Sequence, residues 1–343
     1  MNELFYFSGP HAGTPRCACV DSRGKRWFRI CDRRARCGKS AAFAYPWHME
    51  NDLHMSAVSR KALVFGASGQ IGVCLLANLR AAGWTVTAVS RQPQLPGPGL
   101  CWVQGDLSGA WQGADDFDAV FCCGPLDHFA RWYAASAMRA PRVVAFGSTS
   151  AEVKRDSSDP AERDVARRLR EAEQLLLSTA AGRGVAATVL RPTLVYGAGR
   201  DKTLSAIAAL AARTGFFLLP TCATGLRQPV HVQDLGDAAL RVVEFPETAG
   251  RAYALGGGEI LGYSEMVRRV LASLTTRPRL WRVPTPLFTL AWRVAHASGW
   301  LPDINRATLA RMREPLVFDT GPAQRDFGYA PRPFLPTREM VGL

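Results

Sequence analysis

From Lys61 onward the apolar positions fall into short runs that alternate with helical periods. Ala62-Leu63-Val64-Phe65 is an apolar run of strand length, and it ends at Gly66-Ala67-Ser68-Gly69-Gln70-Ile71-Gly72. Ile71, Leu75, Leu76 and Leu79 then recur three or four positions apart, which predicts a helix ending near Gly83. Residues 84–89 read as a second strand, and further apolar strands are expected at 100–103, 119–122, 142–146 and 185–190. The segments between them are long enough for crossover helices. Alternation of this kind predicts an α/β fold, a Rossmann-type doubly wound parallel sheet covered on both faces.

After about Arg191 the rhythm is lost, and Pro and Gly become frequent among helical pieces at 204–213, 232–245 and 263–273. The expected organisation is therefore a nucleotide-binding core over 57–190, followed by 191–343, a mixed segment that completes the sheet and forms a smaller C-terminal substrate lobe. Residues 1–56 carry neither a helical nor a strand period. They are expected to be a disordered leader, or the product of a start placed too early, since Met49 and Met55 precede the first regular element. Asp21, Asp32 and Glu50 fit an arginine-rich transit peptide poorly. Four of the nine cysteines, Cys17, Cys19, Cys31 and Cys37, lie in this segment. Their C-x-C and C-x5-C spacings do not match structural zinc sites, and no metal is expected.

The chain has 343 residues, 48% of them hydrophobic and 21% charged, with no run of apolar residues long enough to span a bilayer. A cytoplasmic protein is expected, because an odd number of cysteines without a signal peptide suits a reducing compartment. The net charge of +13 invites an anionic partner. Nine Lys and Arg against five acids sit in residues 1–56 and the rest of the excess is scattered, so no basic stripe interleaved with aromatics exists for nucleic acid to track. Nucleic-acid and membrane partners are not expected; a small-molecule substrate is, and the oligomeric state is open.

Gly66-x2-Gly69-x2-Gly72 meets the demands of a phosphate turn. Glycines allow a tight bend, close approach of a pyrophosphate and close helix packing, while the helix N-terminus favours the phosphate charge. The end of the second strand, where a carboxylate would bond a ribose 2′-hydroxyl, reads Ser90-Arg91, and no Asp or Glu occurs between residues 57 and 105. An arginine there suits a 2′-phosphate, so NADP(H) is favoured over NAD(H). The alternative for Arg91 is a solvated surface charge.

With these elements in order, the chain resembles the short-chain dehydrogenase/reductase superfamily, in its extended or atypical NAD(P)-dependent epimerase/dehydratase branch. The resemblance covers about residues 60–340. Beyond the glycine turn it rests on Gly105-Asp106-Leu107, on Phe146-Gly147-Ser148-Thr149-Ser150, on Leu190-Arg191-Pro192 through Tyr196-Gly197, and on Val230-His231-Val232-Gln233-Asp234-Leu235. It implies cofactor contacts from Gly66, Ser68, Gly69, Gln70, Ile71, Gly72, Ser90, Arg91, Asp106, Leu107 and Arg191. It implies a substrate hydroxyl at Thr149 with Ser148 beside it, and substrate-lobe positions at Tyr196 and His231.

The resemblance also implies a tyrosine that transfers a proton and a lysine four residues later that lowers its pKa. That pair is absent: none of the seven tyrosines has lysine four positions on, and Val165 and Leu169 stand where the two would be. Arg167, Arg168 or Arg170 could reach a cofactor or could form a solvated helix face. Tyr196 and Arg200 form a weaker Y-x3-R echo. His231 is read as a structural hydrogen-bonding group, Asp234 as support or cap for the next helix, and Cys122-Cys123 as packing residues. Residues 281–300, rich in aromatics, are expected to form a packed amphipathic helix pair in preference to a membrane-surface segment. Two functions follow: an NADP(H)-dependent oxidoreductase or epimerase-like enzyme acting on a carbonyl or sugar-nucleotide-type molecule, or a catalytically silent NADP(H)-binding sensor or assembly protein.

Overall fold

The structure, a computed structural model, describes residues 16–20, 26–30, 59–109, 111, 113, 116–201, 203–297 and 306–343. Contacts divide the chain into Met1–Met55 and Ser56–Leu343. In the first unit Arg16–Val20 and Arg26–Ile30 pair antiparallel, with Cys17 opposite Arg29 and Cys19 opposite Trp27. These ten positions are strands in a segment whose sequence carries no strand period. Cys31 and Cys37 lie outside the described residues.

In the second unit seven strands form one sheet: β1 Lys61–Phe65, β2 Thr85–Ser90, β3 Leu100–Gln104, β4 Ala119–Cys122, β5 Arg142–Phe146, β6 Ala186–Pro192 and β7 Arg251–Leu255. Their order is β7-β6-β5-β4-β1-β2-β3, and every neighbouring pair is parallel. Ala62–Phe65 and all of β4 are buried, as continuous apolar runs in the middle of a doubly covered sheet should be. Winding reverses between β1 and β4, which opens a crevice at their carboxyl ends.

Helix α1 (Gln70–Ala81) lies on one face and α2 (Leu126–Ala135) on the other, where it packs on α3 (Pro160–Gly182). A fourth helix, α4 (Val232–Arg241), packs against α1. It is shorter than the 232–245 of the sequence reading; 3₁₀ turns at Val242–Glu244 and Pro246–Thr248 follow it, and Pro246 cannot continue an α-helix. The two faces build separate cores, one around Leu75, Leu79, Leu235 and Phe327, the other around Phe65, Phe129, Tyr133 and Leu176.

The lobe has a third core of Tyr196, Leu204, Ile207, Tyr263, Met266 and Phe334. Short paired strands frame it: Phe216–Pro220 with Arg279–Val283, Leu226–Arg227 with Leu261–Gly262, and Val195–Tyr196 with Val230–His231. Among the described residues of 281–300 the expected helix pair does not form, and 298–300 lie outside the described residues. Residues 279–283 are a strand, and Thr285–Ala297 is a single surface helix that fully buries only Phe288.

Candidate active site

The glycine turn joins β1 to α1 at the crevice. Gly66 has a φ of +69°, and a Cβ on it would lie 2.7 Å from backbone atoms of Cys123 and Gly124, at the end of β4. A Cβ on Gly72 would come within 2.3 Å of the Gly66 carbonyl oxygen. The Gly69 amide donates to that carbonyl at 2.9 Å and closes the turn. Helix α1 begins with no side-chain cap and no acid in its first turn, which leaves its first amides for an anionic ligand. Gln70 Oε1 is buried there without a partner among the described residues, and Arg200 Nη1 donates to the Ser68 carbonyl at 3.1 Å. Arg200 is a site residue for which spacing gave no more than a weak echo.

At the end of β2 Ser90 is buried, its hydroxyl accepting from the Gln92 amide at 3.2 Å, while Arg91 is exposed. Asp106 accepts from the Ser108 amide and hydroxyl; these bonds, with the nearby Arg91 charge, hold its carboxyl below the usual range. Leu107 packs against the α2–α3 core.

Beyond β5, Ser148, Thr149 and Ser150 line a cavity of about 310 Å³. Val153, Leu194, Met266, Met312, Leu316 and Phe318 supply its apolar walls. Lys154, Arg227 and Arg311 supply charge, and no carboxylate lines it among the described residues. Thr149 is buried, and its hydroxyl donates to the Pro192 carbonyl at 3.1 Å; the Ser148 hydroxyl accepts from the Ser150 amide. Ser150, which the sequence reading named only as part of its motif, carries a hydroxyl with no bond to the described residues.

Tyr263 also faces this cavity, and it is the one tyrosine that does so among the described residues. Burial raises its pKa, against the lowering effect of Arg227, whose guanidinium carbon lies 4.8 Å from the ring centroid. Arg227 itself is tied down by the Leu226, Glu314 and Arg311 carbonyls. Lys154 and Arg311 share Glu162 behind the wall.

Arg191, expected at the cofactor, spends all three guanidinium nitrogens on carboxylates: Nε and Nη2 on buried Glu173 and Nη1 on Glu152 at 2.7 Å. It ties α3 to β6. Tyr196 is buried edge-on between His231 and Phe334, with ring centroids 5.1 and 4.8 Å away. His231 Nδ1 accepts from the Gln233 amide at 3.1 Å and caps α4, while Nε2 is buried against Gly197 with no partner among the described residues. Burial first, then the Arg332 charge, lowers the His231 pKa. The cap expected of Asp234 thus falls to His231, and Asp234 instead accepts from Arg332 Nε at 2.6 Å and from its amide.

The ordered parallel sheet agrees with the comparisons. Residues 132–256 match the NAD dependent epimerase/dehydratase family. The resemblance to the extended short-chain dehydrogenase branch is supported by that match and by the shared fold. A UDP-glucose 4-epimerase of Vibrio cholerae is 25% identical over 118 residues, 34% of this chain and 35% of that protein. A 2-alkyl-3-oxoalkanoate reductase of Stenotrophomonas maltophilia is 26% identical over 318 residues, 79% of this chain and 95% of that protein. Among solved structures, MoeE5 in complex with UDP-glucose and NAD superposes with a TM-score of 0.60 at 22% identity, covering 82% of this chain and 96% of that one. The family match supports an oxidoreductase- or epimerase-like enzyme with a nicotinamide cofactor.

For this epimerase/dehydratase-like chain, the helix implied to hold Tyr and Lys is α3. Val165 and Leu169 are half-buried there, and Leu169 packs against the α2–α3 core. Arg167 bonds Asp164 and Glu171, and Arg168 bonds Asp164 and reaches Asp127, so both belong to an ion-paired helix face. Burial pushes the Cys122 thiol up to about 12, which disfavours the reactive thiolate.

Proposed function

We propose that the chain is an NADP(H)-dependent oxidoreductase that acts on the carbonyl, or the corresponding alcohol, of a small molecule held in the cavity beside Ser148–Ser150. The phosphate turn carries the reading. Gly66 and Gly69 before α1 and Gly72 in its first turn bring the chain so close to neighbouring backbone that a Cβ would strike it at Gly66 and Gly72 and crowd it at Gly69; with a helix N-terminus free of acids, these features fit a dinucleotide pyrophosphate. Arg91, in a β2 end without a carboxylate, is assigned to the 2′-phosphate. A bound nicotinamide supplies or accepts hydride.

Around it, this chain's residues orient the substrate and hold the proton. The Ser150 hydroxyl is available to a carbonyl oxygen, and Thr149 and Ser148 fix the strand end that presents it. Tyr263, protonated at neutral pH, is the proton-holding group in the cavity. Walls of methionine, leucine and phenylalanine with lysine and arginine at their margin favour an apolar carbonyl compound bearing negative charge over a neutral polar one. The reductase from Stenotrophomonas, whose substrate by name is a 2-alkyl-3-oxoalkanoate, is consistent with that class.

A silent NADP(H)-binding protein is the second reading, favoured by Val165 and Leu169 at the Tyr and Lys positions. Calorimetric titration with NADPH and NADH separates the outcomes. Arg91→Ala is expected to weaken NADPH about tenfold, or about 1.4 kcal/mol, and to leave NADH unchanged. Gly69→Asp is expected to abolish both, and no binding of either by the parent protein would overturn both readings. If NADPH binds, its oxidation by β-oxo acids, lost in Ser150→Ala, decides for the enzyme; binding without turnover decides for the sensor.

A further inference from the structure

The helix Thr285–Ala297 is held to the lobe by one side. Phe288 is buried and stacks toward Trp292 at 5.6 Å, and the helix lies against the strand Phe216–Pro220. The other side is apolar and bare: Leu287, Leu290 and Val294, at i, i+3 and i+7, are 59%, 61% and 62% exposed. Trp281 on the adjoining strand is 50% exposed and stacks on Phe216 at 5.0 Å. A surface helix ordinarily turns charged residues outward, so a helix apolar on both sides implies a second apolar phase.

The stretch of sequence that carries the stripe has charge of one sign. From Met266 to Pro302 the sequence has six arginines and no Asp or Glu. Arg268 and Arg269 are spent on Glu265 and Glu259, but Arg277, Arg279, Arg282 and Arg293 form no ion pair among the described residues. We propose that this face, the helix Thr285–Ala297 with the strand Arg279–Val283, docks on an anionic lipid bilayer. Leucine, valine and tryptophan would enter the interface while the arginines meet lipid phosphates. A two-fold contact between copies would set the same arginines face to face, which disfavours a second copy as the occupant. The Cys222 thiol bonds both Thr285 and Arg313, the neighbour of the cavity residue Met312, so the docked face adjoins the wall of the candidate site. Docking does not depend on the cofactor assignment, and it departs from the sequence expectation of no membrane partner.

The full chain is sedimented with phosphatidylcholine vesicles and with vesicles that also contain phosphatidylglycerol. Binding is expected to the mixed vesicles alone. Leu287→Ser with Leu290→Ser and Val294→Ser, and separately Arg279→Gln with Arg282→Gln, should each lower the partition coefficient about tenfold without changing Tm. Both variants retain the basic residues 1–56, so binding through that segment would leave them unaffected and overturn the proposal. Failure of the parent protein to sediment with mixed vesicles would also overturn it. So would a parent dimer that the triple serine variant dissociates, because the stripe would then be an interface between copies.

Discussion

His231 shows how far a side chain's task depends on its surroundings. Its Nδ1 caps α4, so the imidazole must stay neutral, and burial lowers its pKa below the ordinary 6.5. A base whose folded pKa is lowered binds protons more readily when the chain is unfolded. Its contribution to stability is complete above about pH 6.5 and is lost as pH falls from there toward the folded pKa. His231→Asn keeps a capping acceptor and removes the titration. Between pH 7.5 and 5.5 the parent protein is expected to lose more Tm than the variant, by a margin corresponding to about 1 kcal/mol. Equal losses in a melting experiment would show that His231 does not titrate with unfolding. Arg191 teaches the same lesson: the sequence shows an arginine beside a nucleotide-binding sheet, and only the fold shows buried Glu173 consuming it. Ser150 and Tyr263 stayed obscure for the converse reason, since nothing local distinguishes a hydroxyl that faces a cavity from one that faces water.

At the scale of elements, the packing of α1 on α4 rests on a small residue. A Cβ on Gly236 would sit 3.1 Å from Cys74 Cβ and 3.2 Å from Asn78 Nδ2. Beside that contact Asn78, Gln233 and Asp237 hydrogen-bond across the two helices. Gly236→Leu would force the helices apart or drive its own side chain off rotamer. A cost of about 1–3 kcal/mol is expected, read as a lower denaturant midpoint at unchanged m. Because α1 carries the phosphate turn at its start, the same variant should weaken NADPH; undisturbed binding would mean that the turn is held by β1 and β4 alone. The strands β1, β2, β4 and β5 were legible because each is a compact apolar run next to glycine or a helical period. The surface helix Thr285–Ala297 was not: periodicity locates an apolar face but cannot say whether the fold covers it.

For the whole molecule, contacts separate Met1–Met55 from Ser56–Leu343. The seven-stranded sheet, its four flanking helices and the lobe core all lie in the second unit. A chain beginning at Met55 is expected to keep the Tm of the full chain within about 2 °C, because the described residues of these three cores all lie in the second unit. A larger fall in calorimetry would show that the first unit supports the second. The sequence by itself determined the alternation of strands and helices, the glycine turn, the strand-end hydroxyls and the lack of a Tyr–Lys pair, because each is written in consecutive residues or in short spacings. Tertiary structure decided which part of residues 191–343 completes the sheet: β7, 59 residues beyond β6, at its edge. It also decided that Glu173 claims Arg191, that Tyr263 shares a cavity with Ser150, and that three apolar residues of one helix remain bare. These depend on which distant segments meet, and the physical reason they escape the sequence is that burial and pairing are properties of the assembled chain.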